Sequence, residues 1–244
     1  MPNEIDTPSM VAGWKLEKAS LDSLGYSSPL PLDNPQRARC IFESNNAIGS
    51  TTYVKNPHVT SDVVRQMLCD AGLVRAVESL CGPSFKLWRS AFFSKSEGSG
   101  EIGWHHDKHF EAGDADIQLN TIGGHYSILF GLTDITHTTG LLEIIPGTHR
   151  DVYNVQRDTR PFHLRPASAH ILTDLPIEAM AMRRPVPIPA GCFMIFHSAM
   201  LHRSLSHTSG ARRLGMAIRL VHQDREIPAP LAKREDIFPF PPIL

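Results

Sequence analysis

The sequence has little of what marks several large classes of protein. It has four cysteines in 244 residues, widely spaced and without a CxxC pair, which argues against a zinc ribbon or a redox dithiol. Its 24 basic and 25 acidic residues nearly balance, and no run of lysine or arginine offers a surface to nucleic acid or an anionic membrane. No segment approaches the ~20 apolar residues that a membrane span requires, and no secretory signal is evident. We therefore expect a cytoplasmic protein with reduced thiols.

The chain shows no internal repeat, no low-complexity block and no long linker, so we expect a single domain over residues 1–244. Residues 1–84 predict a helical and looped N-terminal part. Within it, residues 60–81 follow helical spacing, with capping chemistry at Ser61 and a break expected at Gly72. We expect these helices to pack on the outside of the following part of the chain.

From residue 85 onward the sequence changes to short β-like runs, separated by turns that contain glycine and proline. We predict strands over residues 85–94, 103–110, 125–133, 141–145, 186–188, 192–197 and 213–221. Helices first and then many short strands are typical of a two-sheet jelly roll with helices outside it. The predicted fold is therefore mainly β with flanking helices, a cupin-like double-stranded β-helix with residues 85–221 as its core.

Two further stretches accompany this core. Residues 151–182 have weak periodicity and predict a long insert over the mouth of the barrel, where such loops often act as lids or binding loops. Residues 222–244 are rich in proline and predict an extended tail on the surface.

Three residues form the most informative pattern in the chain. His105 and Asp107 are two positions apart, so on an extended strand their side chains point to the same side. His202, returning from a distant strand, would complete two imidazoles and one carboxylate on one face of a metal ion. This set leaves positions open for a co-substrate and O₂, and it suits non-haem Fe(II) oxygenation.

A zinc site is one alternative from the same residues. If residues 104–110 were helical, His105 and His109 would share a face, as in zinc hydrolases. His106, however, holds the place of the general-base glutamate in that pattern, and the flanking sequence favours strand and turn. A second alternative is a cupin-like metal-binding or sensor protein without oxygenase activity, which the presence of Arg213 argues against.

The predicted last strand of the core carries two arginines. On an extended strand, Arg213 and Arg219 share one face with two small residues between them. Because an inward arginine is costly without a partner, each of them predicts an anion. We assign Arg213, assisted by Ser204, to the distal carboxylate of 2-oxoglutarate through a bidentate contact. Arg219 is expected nearer the metal or the substrate.

Several motifs in a fixed order resemble the phytanoyl-CoA dioxygenase superfamily of Fe(II)/2-oxoglutarate oxygenases. The most similar branch holds amino-acid hydroxylases and carrier-dependent aliphatic halogenases. The resemblance covers residues 85–221 and is absent from the flanking parts. It rests on Leu87-Trp88-Arg89-Ser90 with Phe93 and Lys95, on Trp104-His105-His106-Asp107 with Phe110, on Gly123-Gly124, on Thr133-Asp134, on residues 140–149, and on His202-x-Ser204 with Arg213.

The resemblance implies a double-stranded β-helix that binds Fe(II) through His105, Asp107 and His202. It implies that 2-oxoglutarate binds the metal and is anchored by Arg213. It also implies that Ser127 lies near the metal and the co-substrate, as a small hydroxyl residue does in this branch.

On the substrate side, the resemblance implies that Arg219 and Phe110 line the site. Arg89, if it points inward, is a candidate partner for a substrate carboxylate. Halogenases of this branch resemble the same sequence with Ala or Gly in place of Asp107, which leaves a coordination position for chloride. With the carboxylate present, the resemblance implies hydroxylation, or another oxidation such as desaturation, of an unactivated aliphatic C–H, with release of succinate and CO₂.

The resemblance also implies a small, amino-acid-derived substrate that is free, N-acylated or tethered to a carrier. A homodimer and a carrier protein are compatible with the sequence as partners, and the position and stereochemistry of oxidation stay open. The remaining histidines, His125 and His149 among them, are expected to be satisfied core or surface residues.

Overall fold

The structure, a computed structural model, describes residues 7–47, 53–107, 125–151, 175, 177–227 and 232–243. Its helices are α1 (Thr7–Leu24), α2 (Gln36–Ala47), α3 (Pro57–Thr60), α4 (Asp62–Leu68), α5 (Ala71–Leu80) and α6 (Ile177–Ala181). Its strands are β1 (Leu30–Pro31), β2 (Tyr53–Lys55), β3 (Phe85–Lys95), β4 (Ile102–His105), β5 (His125–Gly131), β6 (Leu142–Ile144), β7 (Arg184–Val186), β8 (Cys192–His197), β9 (His202–Ser204), β10 (Arg213–His222) and β11 (Phe238–Phe240).

The strands form two antiparallel sheets. The larger sheet has the order β1-β8-β5-β10-β3-β11, with β2 also paired to β3, and the smaller sheet has the order β4-β9-β6-β7. Neighbouring strands are mostly distant in sequence, because the chain crosses between the two sheets. The predicted mainly β jelly roll with flanking helices is confirmed.

Side-chain alternation gives the larger sheet two different faces. Residues such as Met216 and Ile218 of β10 point to one face and join a buried apolar cluster with the helices, including Leu80 of α5. The opposite face points into the barrel, where Phe196 packs in a second cluster with Ile144 of the smaller sheet. The inward residues of β10 are therefore those at odd positions, which include both predicted site arginines.

The predicted helical segment 60–81 is two helices, and its break differs from the expectation. Ser61 caps α4 as predicted, since its side chain accepts a hydrogen bond from the Val64 amide. The break falls at Asp70, whose carboxylate accepts from the amides of Gly72 and Leu73 and so caps α5. The expected break at Gly72 is wrong because this glycine is buried inside the first turn of α5.

The C-terminal segment is part of the fold rather than a surface tail. Residues Phe238–Phe240 form β11 and extend the larger sheet beside β3. Ala232 is buried against Trp88. The imidazole of His58, a buried residue of α3, bonds the Asp236 carbonyl at 2.8 Å. The expectation of a surface tail is therefore corrected, because this segment supplies an edge strand, where proline is tolerated.

Most of the predicted insert over residues 151–182 lies outside the described residues. Its end forms α6, which is five residues long. Ala179 and Met180 of this helix pack on the outer face of the smaller sheet, against Trp104 and Leu201.

The C-terminal end of α1 rests on a stacked pair of imidazoles. The His149 and His197 rings are nearly parallel, with centroids 4.7 Å apart. Gly25 ends the helix with φ +92, and a β-carbon there would lie 2.5 Å from Nδ1 of His149. Burial, with the neighbouring His149, lowers the pKa of His197 to about 4. The ionisable groups that face His197 are His149, Tyr126, Asp22 and Lys18.

Candidate active site

Two histidines and one aspartate converge inside the barrel. His105 is the last residue of β4 and His202 is the first residue of β9, and the two are register partners in the smaller sheet. Asp107 follows in a single turn beyond β4, where its amide bonds the Ser198 carbonyl at 2.9 Å. One ligand atom from each of the three residues lies within 4.8 Å of the others, and all three side chains are buried. The predicted strand over 103–110 therefore ends at His105, and Asp107 reaches the cluster from the turn.

Both imidazoles are fixed in the same way. Nδ1 of His105 lies 2.7 Å from the Gly103 carbonyl, and Nδ1 of His202 lies 3.0 Å from the Met200 carbonyl. Because a carbonyl oxygen only accepts, each Nδ1 carries the proton and each Nε2 keeps its lone pair. Nε2 of His202 lies 3.8 Å from Oδ1 of Asp107. This backbone support is the kind that orients histidine ligands in metal sites.

Asp107 is held as a carboxylate by two side chains of the larger sheet. Nη2 of Arg219 donates to Oδ1 at 2.7 Å, and the Ser127 hydroxyl donates to Oδ2. Burial alone would raise the pKa of Asp107, but the charge of the Arg219 guanidinium and its hydrogen bond to the carboxylate hold that pKa well below its ordinary value. Two neutral nitrogens and one charged carboxylate fit a divalent iron that must keep open positions.

The register of the larger sheet explains why Arg219 and Ser127 meet at this carboxylate. Arg219 stands opposite Arg89 of β3 on one side and opposite Ser127 of β5 on the other. Phe196 of β8 is next in the same row, and its ring meets the His202 ring edge-on at 5.1 Å. Cross-strand partners point to one face, so Arg89, Arg219, Ser127 and Phe196 form a row, the floor row, beneath the cluster of His105, Asp107 and His202.

Arg213 lies at the other end of β10. It is 3 % exposed, and its Nη1 donates to the Gly140 carbonyl at 3.0 Å and to the Ser204 hydroxyl at 3.1 Å. Burial lowers its pKa to about 10, which leaves it charged at neutral pH. The structure therefore brings together the predicted pair of Arg213 and Ser204.

A second buried cation accompanies Arg213. Lys95 is its register partner on β3, and Nζ of Lys95 donates to the carbonyls of Leu205 at 2.6 Å and Gly100 at 2.9 Å. Burial first, and then the charge of Arg213, lower the pKa of Lys95 to about 8. In the described part of the chain, no carboxylate forms a salt bridge with either cation, although the charge of Glu101 acts on Lys95, so two buried cations lie together at this end of the barrel. Sequence reasoning noted Lys95 only as part of a motif, although an inward lysine in a core strand was a usable signal.

The other predicted site residues have different outcomes. Arg89 lies in the floor row and is half-buried. Phe110 lies outside the described residues, as does His109 of the zinc alternative. The helix that this alternative needs is not present over Ile102–His105, which is strand. His125 is buried as expected but not satisfied, since neither ring nitrogen has a hydrogen-bond partner among the described residues.

The geometry agrees with the family to which the chain is matched. The family described as phytanoyl-CoA dioxygenase (PhyH) matches residues 35–215, which is most of the chain. The chain belongs to the phytanoyl-CoA dioxygenase family. It is accordingly an Fe(II)/2-oxoglutarate-dependent oxygenase. This confirms the predicted enzyme class, the predicted metal, Fe(II), and the predicted co-substrate, 2-oxoglutarate.

Solved structures share the fold of this PhyH family member at low sequence identity. The epimerase SnoN, solved with Fe³⁺, alpha-ketoglutarate and nogalamycin RO, is 17 % identical with a TM-score of 0.68, over 87 % of this chain and 84 % of SnoN. EctD from S. alaskensis is 18 % identical with a TM-score of 0.65, over 90 % of this chain and 84 % of EctD. CytC3 with Fe(II) and alpha-ketoglutarate is 22 % identical with a TM-score of 0.60, over 85 % of this chain and 77 % of CytC3.

No curated protein sequence matches the chain significantly. Among the described residues, no helix has the length and apolar character to span a membrane.

Proposed function

We propose that this oxygenase hydroxylates an unactivated aliphatic C–H of a small, amino-acid-derived substrate, with release of succinate and CO₂. The substrate is free, N-acylated or tethered to a carrier. The observation that carries the proposal is the ionised carboxylate of Asp107, which lies between His105 and His202. A halogenase of the resembled branch has Ala or Gly at this position and therefore has no carboxylate there. A full set of three protein ligands leaves no position for chloride beside the co-substrate and O₂.

The three ligands have the chemistry that iron requires. Nε2 of His105, Nε2 of His202 and an oxygen of Asp107 would hold Fe(II), since both Nδ1 atoms are engaged by backbone carbonyls. Held by these residues, Fe(II) would supply the chemistry that couples oxidative decarboxylation of 2-oxoglutarate by O₂ to oxidation of the substrate. Because Asp107 is already ionised, the site is ready to accept a cation without releasing a proton from this group.

The chain's own residues would bind and orient the co-substrate. Arg213 is assigned to the distal carboxylate of 2-oxoglutarate, with the Ser204 hydroxyl assisting by accepting a hydrogen bond from Nη1 of Arg213 and Lys95 adding charge. The burial of Arg213 strengthens such a contact, because water does not compete for the guanidinium. Ser127 is assigned beside the co-substrate, and its hydrogen bond to Asp107 would keep that carboxylate in one orientation.

The substrate would bind at the opposite end of the barrel from Arg213. Arg219 and Arg89 lie there in one row, and Phe110 is assigned to the same wall by motif. Arg219 also orients Asp107 through its 2.7 Å contact, and Arg89, half-buried beside it in the row, is assigned as a contributor of positive charge for a substrate anion. Structures of this fold are described as an epimerase and a carbocyclase as well as a monooxygenase, so the position of the C–H in the site decides the outcome.

We further propose that the enzyme works in the cytoplasm as a single domain over residues 1–244, with a small-molecule substrate and without nucleic acid or membrane partners. Four free cysteines support a reducing compartment, and the net charge of −1 supports the absence of polyanion binding. A homodimer and a carrier protein remain predictions, which light scattering of the purified protein alone and with an acyl carrier protein would check.

The first test is an anaerobic titration of the metal-free protein with Fe(II) and 2-oxoglutarate, followed by visible spectroscopy. We expect a charge-transfer band that needs both additions and is lost in His202→Ala. A turnover screen then offers free, N-acetylated and carrier-tethered amino acids and measures succinate together with a product heavier by one oxygen. Tight iron binding without the band, or the band without any oxygenated product across the screen, would overturn the proposal at its first or second step.

A further inference from the structure

Two buried polar side chains that lie against each other have no hydrogen-bond partner among the described residues. They are the Trp88 indole, 2 % exposed, and the His125 imidazole, 3 % exposed. Nε1 of Trp88 and both ring nitrogens of His125 are without a partner in that part of the chain. A buried donor or acceptor left unpaired costs about 1–3 kcal/mol, so such groups usually meet water or a ligand.

The two side chains lie together next to the row that holds Arg89 and Arg219. Their rings are in contact, with centroids 5.7 Å apart. His125 precedes Ser127 by two positions on β5, so both side chains point to the inner face of the larger sheet. Trp88 precedes Arg89 on β3, where a bulge in the pairing with β10 separates Arg219 from Leu220. The pair therefore extends the floor row by one step, away from the Arg213 end.

The chemistry of the pair selects the ligand. An indole N–H only donates, so its partner must be an acceptor. Burial, and then the charge of Arg219, lower the pKa of His125 to about 3, so the imidazole is neutral and donates through one nitrogen. Two donors beside the cations of Arg89 and Arg219 suit an oxygen that carries negative charge.

We propose that Trp88 and His125 form the subsite that receives the carboxylate of the substrate. The proposal rests on the proposed function and makes it more specific, because a substrate tethered to a carrier as a thioester has no such carboxylate. Free and N-acylated amino acids are then substrates, and their carrier-tethered forms are not.

Tryptophan indole signals test this without turnover. The chain has three tryptophans, so ¹⁵N-labelled protein gives few indole N–H peaks, and Trp88→Phe assigns the one that matters. The protein is loaded with Zn(II) in place of Fe(II) and with saturating 2-oxoglutarate, then titrated with acetate at constant ionic strength. We expect a saturable downfield shift of the Trp88 N–H, and no comparable shift with acetamide, which lacks the charge.

Matched variants separate the subsite from a general effect of burial. His125→Phe keeps an aromatic ring of similar size and should weaken the acetate response at least fivefold. His149→Phe changes another buried imidazole on the opposite face of the larger sheet, and its response should equal that of the wild type. Unchanged binding of 2-oxoglutarate in His125→Phe would show that the variant is folded, and His125→Asn serves if it is not.

The outcomes decide the proposal independently of the proposed reaction. A Trp88 signal that does not move with acetate, moves equally with acetamide, or moves equally in His125→Phe would overturn the subsite. For an acid identified by the turnover screen, His125→Phe should raise its KM at least tenfold, with kcat and the KM for 2-oxoglutarate changed less than threefold. A carrier-bound thioester turned over as well as the acid would also overturn it, while leaving the oxygenase function intact.

Discussion

Replacing Arg213 by alanine should weaken 2-oxoglutarate binding about 100-fold without destabilising the metal-free protein. The guanidinium is buried, and within the described residues its partners are a backbone carbonyl and the Ser204 hydroxyl rather than a carboxylate. Burial lowers its pKa from 12.5 to about 10. A lowering of this size corresponds to roughly 3 kcal/mol of lost solvation in the charged form.

That free energy sets the expected effect on binding. A dianionic co-substrate placed against Arg213 would restore roughly 3 kcal/mol of favourable interaction, which is roughly 100-fold in the dissociation constant. Lys95 stays in place in the variant and keeps some positive charge at this end of the barrel. The measurement is calorimetric titration of the Fe(II)-loaded protein with 2-oxoglutarate under anaerobic conditions.

Arg212→Ala is the matched control, because the neighbouring guanidinium packs over Phe42 on the helix side of the sheet. It should bind 2-oxoglutarate like the wild type. Thermal unfolding of the metal-free proteins completes the comparison, and Arg213→Ala should unfold at the same temperature as the wild type or higher. A dissociation constant within threefold of the wild type in Arg213→Ala would refute the assignment. An equal loss of binding in both variants would refute it as well.

Three further changes have defined outcomes. In chloride-free buffer, Asp107→Ala should lose the charge-transfer band with Fe(II) and 2-oxoglutarate together with all hydroxylation, because one of three ligands is gone; a persisting band would contradict this. The pKa of His197 is about 4 in the folded protein and 6.5 ordinarily, so between these pH values the unfolded chain binds a proton that the folded protein does not. Lowering the pH from 6.5 to 4 should therefore reduce the free energy of unfolding of the wild type by roughly 3 kcal/mol through this group. Denaturant unfolding should show that slope reduced in His197→Phe and unchanged in the exposed control His137→Phe. Ending the chain at residue 231 should lower the free energy of unfolding by about 3–5 kcal/mol, because β11 is lost and His58 loses its partner; a loss below 1 kcal/mol would show that the segment is dispensable.

The parts of the fold that could be predicted are those whose residue pattern lies within one short segment of the sequence. Strands β8 and β10 follow alternating or continuous apolar runs between turn residues, and their predicted bounds agree with the structure to within one residue. The cluster of His105, Asp107 and His202 was predictable because only a few residue types bind iron and because Arg213 follows in order. Local chemistry and spacing are enough for such features.

The missed features depend on contacts between distant parts of the chain. The carboxylate of Asp70 caps α5 and also accepts from the amides of Asp33 and Asn34, so the helix break is fixed by a segment far upstream. The proline-rich end of the chain gave no strand signal, and β11 exists only because β3 offers a free edge. The position of Trp88 beside His125 likewise follows from the register of β3, β10 and β5, which no single segment encodes.

The register of β10 also decides which anion each arginine can bind. Between Arg213 and Arg219 the strand can extend at most about 20 Å, and their side chains end at different partners. Arg213 meets Ser204, and Arg219 meets Asp107. On the proposed assignment, 2-oxoglutarate anchored at Arg213 would lie along the barrel interior toward His105, Asp107 and His202, and the charge of the substrate would lie at the Arg89 end. A slip of one residue would turn both arginines to the helix face at once, so co-substrate anchoring and the orientation of Asp107 would be lost together.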